Sequence, residues 1–441
     1  MVGWRRAILP ALVVALAGAQ GALAGVLVID GAGDGHGVGL SQTGAAGLAA
    51  HGYSAQQILT HYYTGTNVER LGSERAVSVL IQSGLRTVAF SDAAAAGDRA
   101  LLVDRTYLAT AAGNGEIALE SERGRLLSYL PAPLQITSAI PIRFDGTASS
   151  GVVDGRYRGS LTLALGRRGR IEVINHVGLE AYLLGVVPAE SPAYWPAAEL
   201  EAQAIAARSY AIASRPQAGF DLYGDTRSQQ YGGYDAEAPS TDDAVEATRG
   251  EVVAYHGRPI VAYYFASSGG ETEDVQNGFP GATPEPYLRA VIDPYDASRF
   301  GPITLSLHQA DRRLRHLLLG TLEAIVVTRR GASPRIVSAR LVGSGGTTTV
   351  SGSELAAALG LPSTWDCFSV SSSAATVASG WDRACERPTR LGTGTTRARA
   401  PVSTGGGTVA GSGSAKRTGT GRPAPSEPGS VAGGAVAPSG Q

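Results

Sequence analysis

The sequence predicts an α+β fold, a mixed domain of antiparallel sheets and a few packed helices, with a β-rich inserted lobe and a disordered C-terminal tail. Three observations predict it. Short runs such as Val77-Ser78-Val79-Leu80-Ile81 and Leu161-Thr162-Leu163-Ala164-Leu165, separated by turn residues, fill 75–175 and read as antiparallel strands. Two other stretches, 41–65 and 178–215, carry helical spacing and capping residues instead. From about Leu391 the composition collapses to Gly, Ser, Thr, Ala, Pro and Arg, which cannot bury enough apolar surface to order itself. With 441 residues, 43% of them hydrophobic, the rest of the chain can build a substantial core.

Residues 1–24 read as a signal peptide. Trp4-Arg5-Arg6 forms a positive start, Ala7 to Ala17 a mostly apolar stretch, and Ala22-Leu23-Ala24 an A-x-A cleavage site, with Ala17-Gly18-Ala19 as a second one. Pro10 interrupts the stretch, which is short for a membrane span. An uncleaved N-terminal anchor is the alternative. The reading places the chain in the secreted or cell-envelope compartment, with no stable membrane span after cleavage.

Residues 25–74 form the next segment. Val26 to Ile29 is a strand leading into GAGDGHGVGLSQTG, where glycine holds every odd position from Gly31 to Gly39. Glycine weakens a strand, so the run predicts something approaching the bare backbone closely. Ser41 to Ala50 packs as a close helix ended by Gly52. Ser54 with Gln57 is a capping box for a second helix through Ile58, Leu59, Tyr62 and Tyr63 to Gly65. The β-rich lobe covers 75–175 and the main region 176–388. In the main region Gly178 to Arg215 is helical, with Pro196 at a first helical position. Val252 to Tyr255 and Ile260 to Ala266 read as a hairpin, Leu305 to Leu318 as a helix, and Ala324 to Thr328 and Ile336 to Val342 as strands. The tail occupies 389–441.

Composition excludes several activities. A net charge of -1 argues against nucleic-acid binding through a basic field. Lys416 is the one lysine among 37 basic residues, so no Walker A, SxxK or Schiff-base lysine fits the folded part. The glycine run fails GxGxxG, because His36, Val38 or Leu40 stands where the last glycine belongs. Ser41 in GLSQT lacks the final glycine of GxSxG. His36, His51 and His61 match no ligand spacing, and two cysteines cannot build a cysteine zinc site, so neither metal nor cofactor is expected. In an oxidising compartment Cys367 and Cys385 are candidates to close one loop, worth roughly 3 kcal/mol.

The chemistry concentrates in EAYLLGVVPAESPAYWPAAELEAQAIAARSY. Glu190 is expected in a rigid loop between two helices, among Val186, Val187, Tyr194 and Trp195. Apolar surroundings raise a carboxyl's pKa, as a general acid needs, whereas a helix starting near Pro196 favours the anion. Residue types leave this contest open, and an ordinary loop glutamate is the plain alternative. DTRSQQYGGY offers groups suited to a sugar, Gln229 and Gln230 among them, or forms a polar surface turn. ASSGGETED offers backbone N–H groups, or forms a tight turn.

These segments resemble a known family. GHGVGLSQTGAAGLAAHGYSAQQILTHYYTGT is similar to the signature of the stage II sporulation protein D / LytB (SpoIID/LytB) family, GHGVGMSQYGA followed by IL-x-x-YY-x-G. LEAYLLGVVPAESPAYWPAAELEAQAIAARSYA resembles its second block, and DTRSQQYGGY, AVEATRGEVVAYHGRPIVAYYFASSGGETED and LGLPSTW complete the pattern over about 26–370. In many sporulation members the GHGVG block closes the domain. Here it opens it, which implies a permuted order with termini that meet in the fold.

The resemblance implies a peptidoglycan lytic transglycosylase with Glu190 as catalytic acid and base, giving 1,6-anhydroMurNAc ends on glycan strands. It implies substrate-binding roles for His36, Ser41 and Gln42 of the glycine loop, and for Gln203, Arg208 and Tyr210 after the glutamate. Gln229 and Tyr231 match its Q-x-Y, and Ser267, Ser268, Gly269, Gly270 and Thr272 its SSGG-x-T turn. A glycan or the Glu190 loop would pack against Gly35 to Gly39. Some relatives hold zinc through His and Cys just before Q-x-Y. Arg227 and Ser228 stand there instead, so no metal is expected. Two other readings remain: a non-catalytic, LytB-like enhancer of a cell-wall amidase, and a hydrolase using Asp225, Asp235 or Glu271 as a second carboxylate.

Overall fold

A computed structural model describes residues 12–15, 25–72, 75–214, 216–372 and 375–377. These residues form a mixed α+β fold with eight α-helices and several antiparallel sheets. Of residues 1–24, expected to be a signal peptide, only Leu12–Ala15 is described, as a strand antiparallel to Leu322–Arg330. The other positions of 1–24, and those from 378 onward with Cys385, lie outside the described residues. Cys367 is disulfide-bonded, and Cys385 is the other of the chain's two cysteines. Among the described residues no helix is long and apolar enough to cross a membrane.

Alternation in 75–175 gives strands as expected. They form a seven-stranded and a six-stranded sheet, the first centred on Ala76–Leu85, Ile171–Gly178 and Ser160–Leu165. Leu161, Leu163, Ile171 and Val173 are fully buried, so period-two spacing puts one face of this sheet in the core.

Five helices pack beside it: α1 (Gln42–Ala50), α2 (Ala55–Tyr62), α3 (Leu179–Glu190), α4 (Ala197–Ala213) and α5 (Pro239–Ala247). Ser54 and Gln57 cap α2 reciprocally, as their spacing predicts. α4 is central and buried nearly all round, with Ala202, Ala204, Ala206 and Ala207 small enough for α1, α2, α3 and α5 to approach it closely. These helices and the β-rich sheets share one apolar core. A second core lies between Gly25–Ala32, Arg299–Ser306 and the strands and helices up to Phe368.

Gly25–Ala32 pairs antiparallel with both Arg299–Ser306 and Trp365–Ser372. The first and last long strands therefore meet in one sheet, as the permuted motif order implies.

Four local expectations change. Pro196 is the N-cap of α4 rather than its first helical residue. Glu190 is the last residue of α3, with Pro188 inside the helix, not a loop residue. Leu305 lies in a strand that runs to Ser306, and a capping box of Ser306 with Gln309 starts a shorter helix at Leu307 that ends at Leu314. Only Arg258–Pro259 pairs back on Glu251–Tyr255, while Tyr264–Phe265 leaves the hairpin to run parallel to Leu40–Ser41.

Candidate functional site

Glu190 sits where α3 ends beneath the stretch Gln229–Gln230. Its Oε1 accepts the Gln230 backbone N–H at 2.7 Å and the Tyr264 hydroxyl at 3.3 Å. The residue as a whole is only partly buried, but Oε2 is cut off from solvent and makes no hydrogen bond. Burial pushes the carboxyl up to about 7, and the donors Gln230 and Tyr264, with the nearby Gln42 amide, only partly counter it. The negative end of α3 works in the same direction as burial. Gln42 lies close enough to influence the carboxyl, yet its Nε2 completes no hydrogen bond.

The tyrosine is itself held. Tyr182 donates to Gln229 Oε1 at 3.2 Å, and Gln229 Nε2 donates to the Tyr264 oxygen at 2.8 Å and to the Ala207 carbonyl at 3.3 Å. Tyr182, Gln229 and Tyr264 are all fully buried, so this chain fixes the hydroxyl that meets Glu190. Gln229 thus acts behind the acid. Tyr231 is buried too, donating to Asn175 Oδ1 at 3.0 Å and packing on Tyr157 and Tyr182.

Glu199, Gln203, Ala207 and Tyr210 recur at helical spacing on one stripe of α4. Glu199 accepts the Ser191 hydroxyl at 2.9 Å, directly after Glu190, and burial pushes its carboxyl up to about 8. Ala207 meets Gln229, and the Tyr210 ring lies 6.5 Å from that of Tyr264. The stripe therefore runs along the Glu190 layer. Gln203 lies in its middle, fully buried, with neither amide atom hydrogen bonded. Such atoms ordinarily have partners, so the Gln203 amide is suited to a polar ligand, while the Gln42 amide faces the Glu190 carboxyl.

Other residues expected at the site form the frame around it. Arg208 is fully buried, donates bidentately to Glu180 at 3.0 and 2.7 Å, and reaches the carbonyls of Val245 and Glu251. Glu180 lies ten residues before Glu190, about 15 Å along α3. Ser41 caps α1 and donates to Asp296 Oδ2 at 3.0 Å. Ser267 and Ser268 also donate to Asp296, and Ser268 and Tyr62 donate to Asp293. Burial pushes Asp296 up, but hydrogen bonds from Ser298, Ser267 and Ser41 outweigh it and hold the carboxyl low. Burial first, then the charge of Asp296, drive Asp293 up. Gly269 and Gly270 complete this turn at positive φ, and Thr272 is fully buried against Val291. The sequence held no motif for the two aspartates.

The glycine run is not a strand beyond Ala32. Gly33, Gly35, Gly37 and Gly39 take φ between +73° and +95°, alternating with residues of ordinary φ. At Gly37 an added Cβ would lie 2.5 Å from Arg335 Nε, and at Gly39 2.0 Å from the Tyr263 carbonyl. What approaches the bare backbone is therefore a buried arginine and the Tyr263 carbonyl just before the strand Tyr264–Phe265. Arg335 donates to the carbonyls of Glu271 and Ser268 at 2.8 and 2.9 Å, and burial lowers it to about 10. The loop delivers Gln42 to Glu190. The His36 ring packs among Tyr263, Phe265 and Phe279, its Nδ1 accepting the Val38 N–H.

Before Gln229, Arg227 is bound bidentately to Asp225 and lies over Tyr223, while Ser228 Oγ accepts the Tyr223 N–H. These side chains do not fit a zinc ion. Asp225 and Asp235 are paired with Arg227 and Arg156.

Residues 167–255, which contain Glu190, Gln203, Arg208 and the Gln229–Tyr231 stretch, match the family described as Stage II sporulation protein. The chain is 35% identical over 167 residues to an uncharacterized protein of Brachyspira hyodysenteriae, covering 37% of this chain and 44% of that protein. It is 39% identical over 131 residues to the amidase enhancer of Bacillus subtilis, covering 30% and 18%. Against stage II sporulation protein D of Bacillus subtilis the identity is 30% over 141 residues, covering 28% and 40%. The chain thus spans less than half the length of these curated relatives. Residues 167–255, with Glu190 inside them, are thus similar to the Stage II sporulation protein family.

Proposed function

We propose that this protein is an exported peptidoglycan lytic transglycosylase acting in the cell envelope. The observation that carries the reading is Glu190: a carboxyl raised to about 7, held through one oxygen while the other stays unpartnered. A group of this kind is protonated often enough near neutral pH to act as acid and is basic enough to take the proton back. Glu190 would donate its proton to the glycosidic oxygen between MurNAc and GlcNAc as the C1–O bond breaks. The MurNAc C6 hydroxyl would then bond to C1 and release its proton to the Glu190 carboxylate, restoring the acid and closing the 1,6-anhydro ring. Because the nucleophile belongs to the sugar, one carboxylate suffices where hydrolases ordinarily use two. Gln42 and Gln203 supply amides for ring hydroxyls or acetamido groups.

The amidase enhancer relative favours a second reading, in which the same residues hold glycan without cutting it and a cell-wall amidase is the partner. Purified protein incubated with intact and peptide-stripped peptidoglycan separates the two. Anhydro-muramyl ends, read by mass and lost in Glu190→Gln, support the enzyme. Reducing ends mean hydrolysis, and binding without products means the second reading. Cleavage of neither substrate rejects the enzyme.

A further inference from the structure

We propose that the cavity where α3 begins binds an amphipathic monoanion, a single carboxylate carrying an aliphatic group, as at the free C-terminus of a peptide. The cavity measures about 300 Å³ and is walled by residues of α3, α4 and α5. That volume suits a ligand of one or two residues rather than a polymer. Glu180, on its wall, precedes Glu190 by ten residues, about 15 Å along α3. The site is therefore separate from the candidate acid.

Much of the wall is apolar. Leu71, Leu184 and Ile212 line the cavity and stay partly exposed, and the buried Leu179 and Val245 line it too. Aliphatic surface left open to water gains by covering, which suits an aliphatic side chain on the ligand.

The charge on the wall is basic. Among the described residues four arginines and two glutamates line the cavity. Three of these arginines are matched by carboxylates: Arg208 by Glu180 at 2.7 Å, Arg249 by Glu246 at 2.6 Å and Arg158 by Glu237 at 2.6 Å. The fourth, Arg75, is exposed and makes no ion pair or side-chain hydrogen bond among the described residues. Its planar fork can take one carboxylate through two hydrogen bonds. A second carboxylate on the ligand would meet no unmatched arginine here, and an ammonium would be repelled by Arg75. An exposed arginine–carboxylate pair holds little by itself, because water competes for both partners. Affinity therefore needs the apolar wall and Arg75 together, and a ligand with both features is what the cavity selects.

The test titrates the full chain by calorimetry with N-acetyl-alanyl-leucine as the free acid, with its C-terminal amide, and with acetate. The free acid should bind, and the amide and acetate should each bind at least about tenfold more weakly. Arg75→Gln should weaken the free acid about tenfold and leave the amide unchanged. Arg340→Gln, an exposed position in the strand Ile336–Gly343, should change neither. Both variants alter exposed side chains, so their unfolding midpoints should match that of the unaltered protein. Equal binding of acid and amide, or of acid and acetate, overturns the proposal. So does full affinity in Arg75→Gln, an equal loss in Arg340→Gln, or no binding of the free acid. Binding is read here without any cleavage of peptidoglycan, so its failure and the failure of the Glu190 reading are separate results.

Discussion

Glu190→Gln should change stability in a pH-dependent way that an ordinary surface glutamate would not show. The folded carboxyl sits at about 7 against an ordinary value of 4.5, so between these limits the folded state holds a proton that the unfolded chain releases. Its contribution is fully present below about 4.5 and is lost as pH rises through about 7. The full difference is about 3 kcal/mol at 1.36 kcal/mol per unit. Glutamine is neutral throughout and keeps an acceptor for Gln230 and Tyr264. Urea unfolding should therefore give similar stabilities for the two proteins at pH 4.5. At pH 8.5 the variant should be more stable by about 3 kcal/mol. Glu199 titrates nearby, but it is present in both proteins and cancels in the comparison. A difference that stays constant from pH 4.5 to 8.5, or that falls with pH, would refute the claim that burial holds this carboxyl high.

Tyr264→Phe removes a donor to the Glu190 carboxylate, worth about 1 kcal/mol, so the alkaline limb of the stability or pH–rate profile should move up by about half to one pH unit. An unmoved limb would mean that the 3.3 Å contact carries no weight. Gly37→Ala must place a Cβ against Arg335 at φ +85°, so the unfolding midpoint should drop and any lost activity should track the folded fraction. Full stability with no activity in Gly37→Ala would instead give the loop a direct part in binding or catalysis. Arg208→Ala leaves Glu180 without its buried partner and should cost about 3–5 kcal/mol in urea unfolding. Under folding conditions its affinity for glycan should be unchanged, and a selective loss of affinity would return Arg208 to the binding surface.

What the sequence made legible depended on range. The Ser54–Gln57 box and the strands of 75–175 are local features, and they predicted local structure well, whereas the loop expected at Glu190 is the end of α3 and Tyr194 lies exposed. Serines in SSGG and GLSQT looked like substrate contacts because their acceptors, Asp293 and Asp296, lie in a stretch without a motif. The Tyr264 contact with Glu190 spans 74 residues, and nothing near either residue announces it. Five glycines showed that something must approach, but Arg335 lies nearly three hundred residues away and carries no signature of its own. Glu199 was detectable, since it is an acid one turn before Gln203 on an alanine-rich helix. Its burial, which decides its protonation, was not.

The meeting of the first and last long strands dictates an order of assembly. Ser363 Oγ donates to the Ala32 carbonyl across 331 residues, and Asp34 pairs with Ser267. Contacts this distant in sequence form late and slowly, because loop closure precedes any gain from them. During synthesis the glycine loop emerges long before Arg335 is made. The helices around α4 can condense earlier, since most of their partners lie nearer in the chain. Gln42 opens α1 and so reaches Glu190 as these helices condense, while the Arg335 side of the glycine loop closes last.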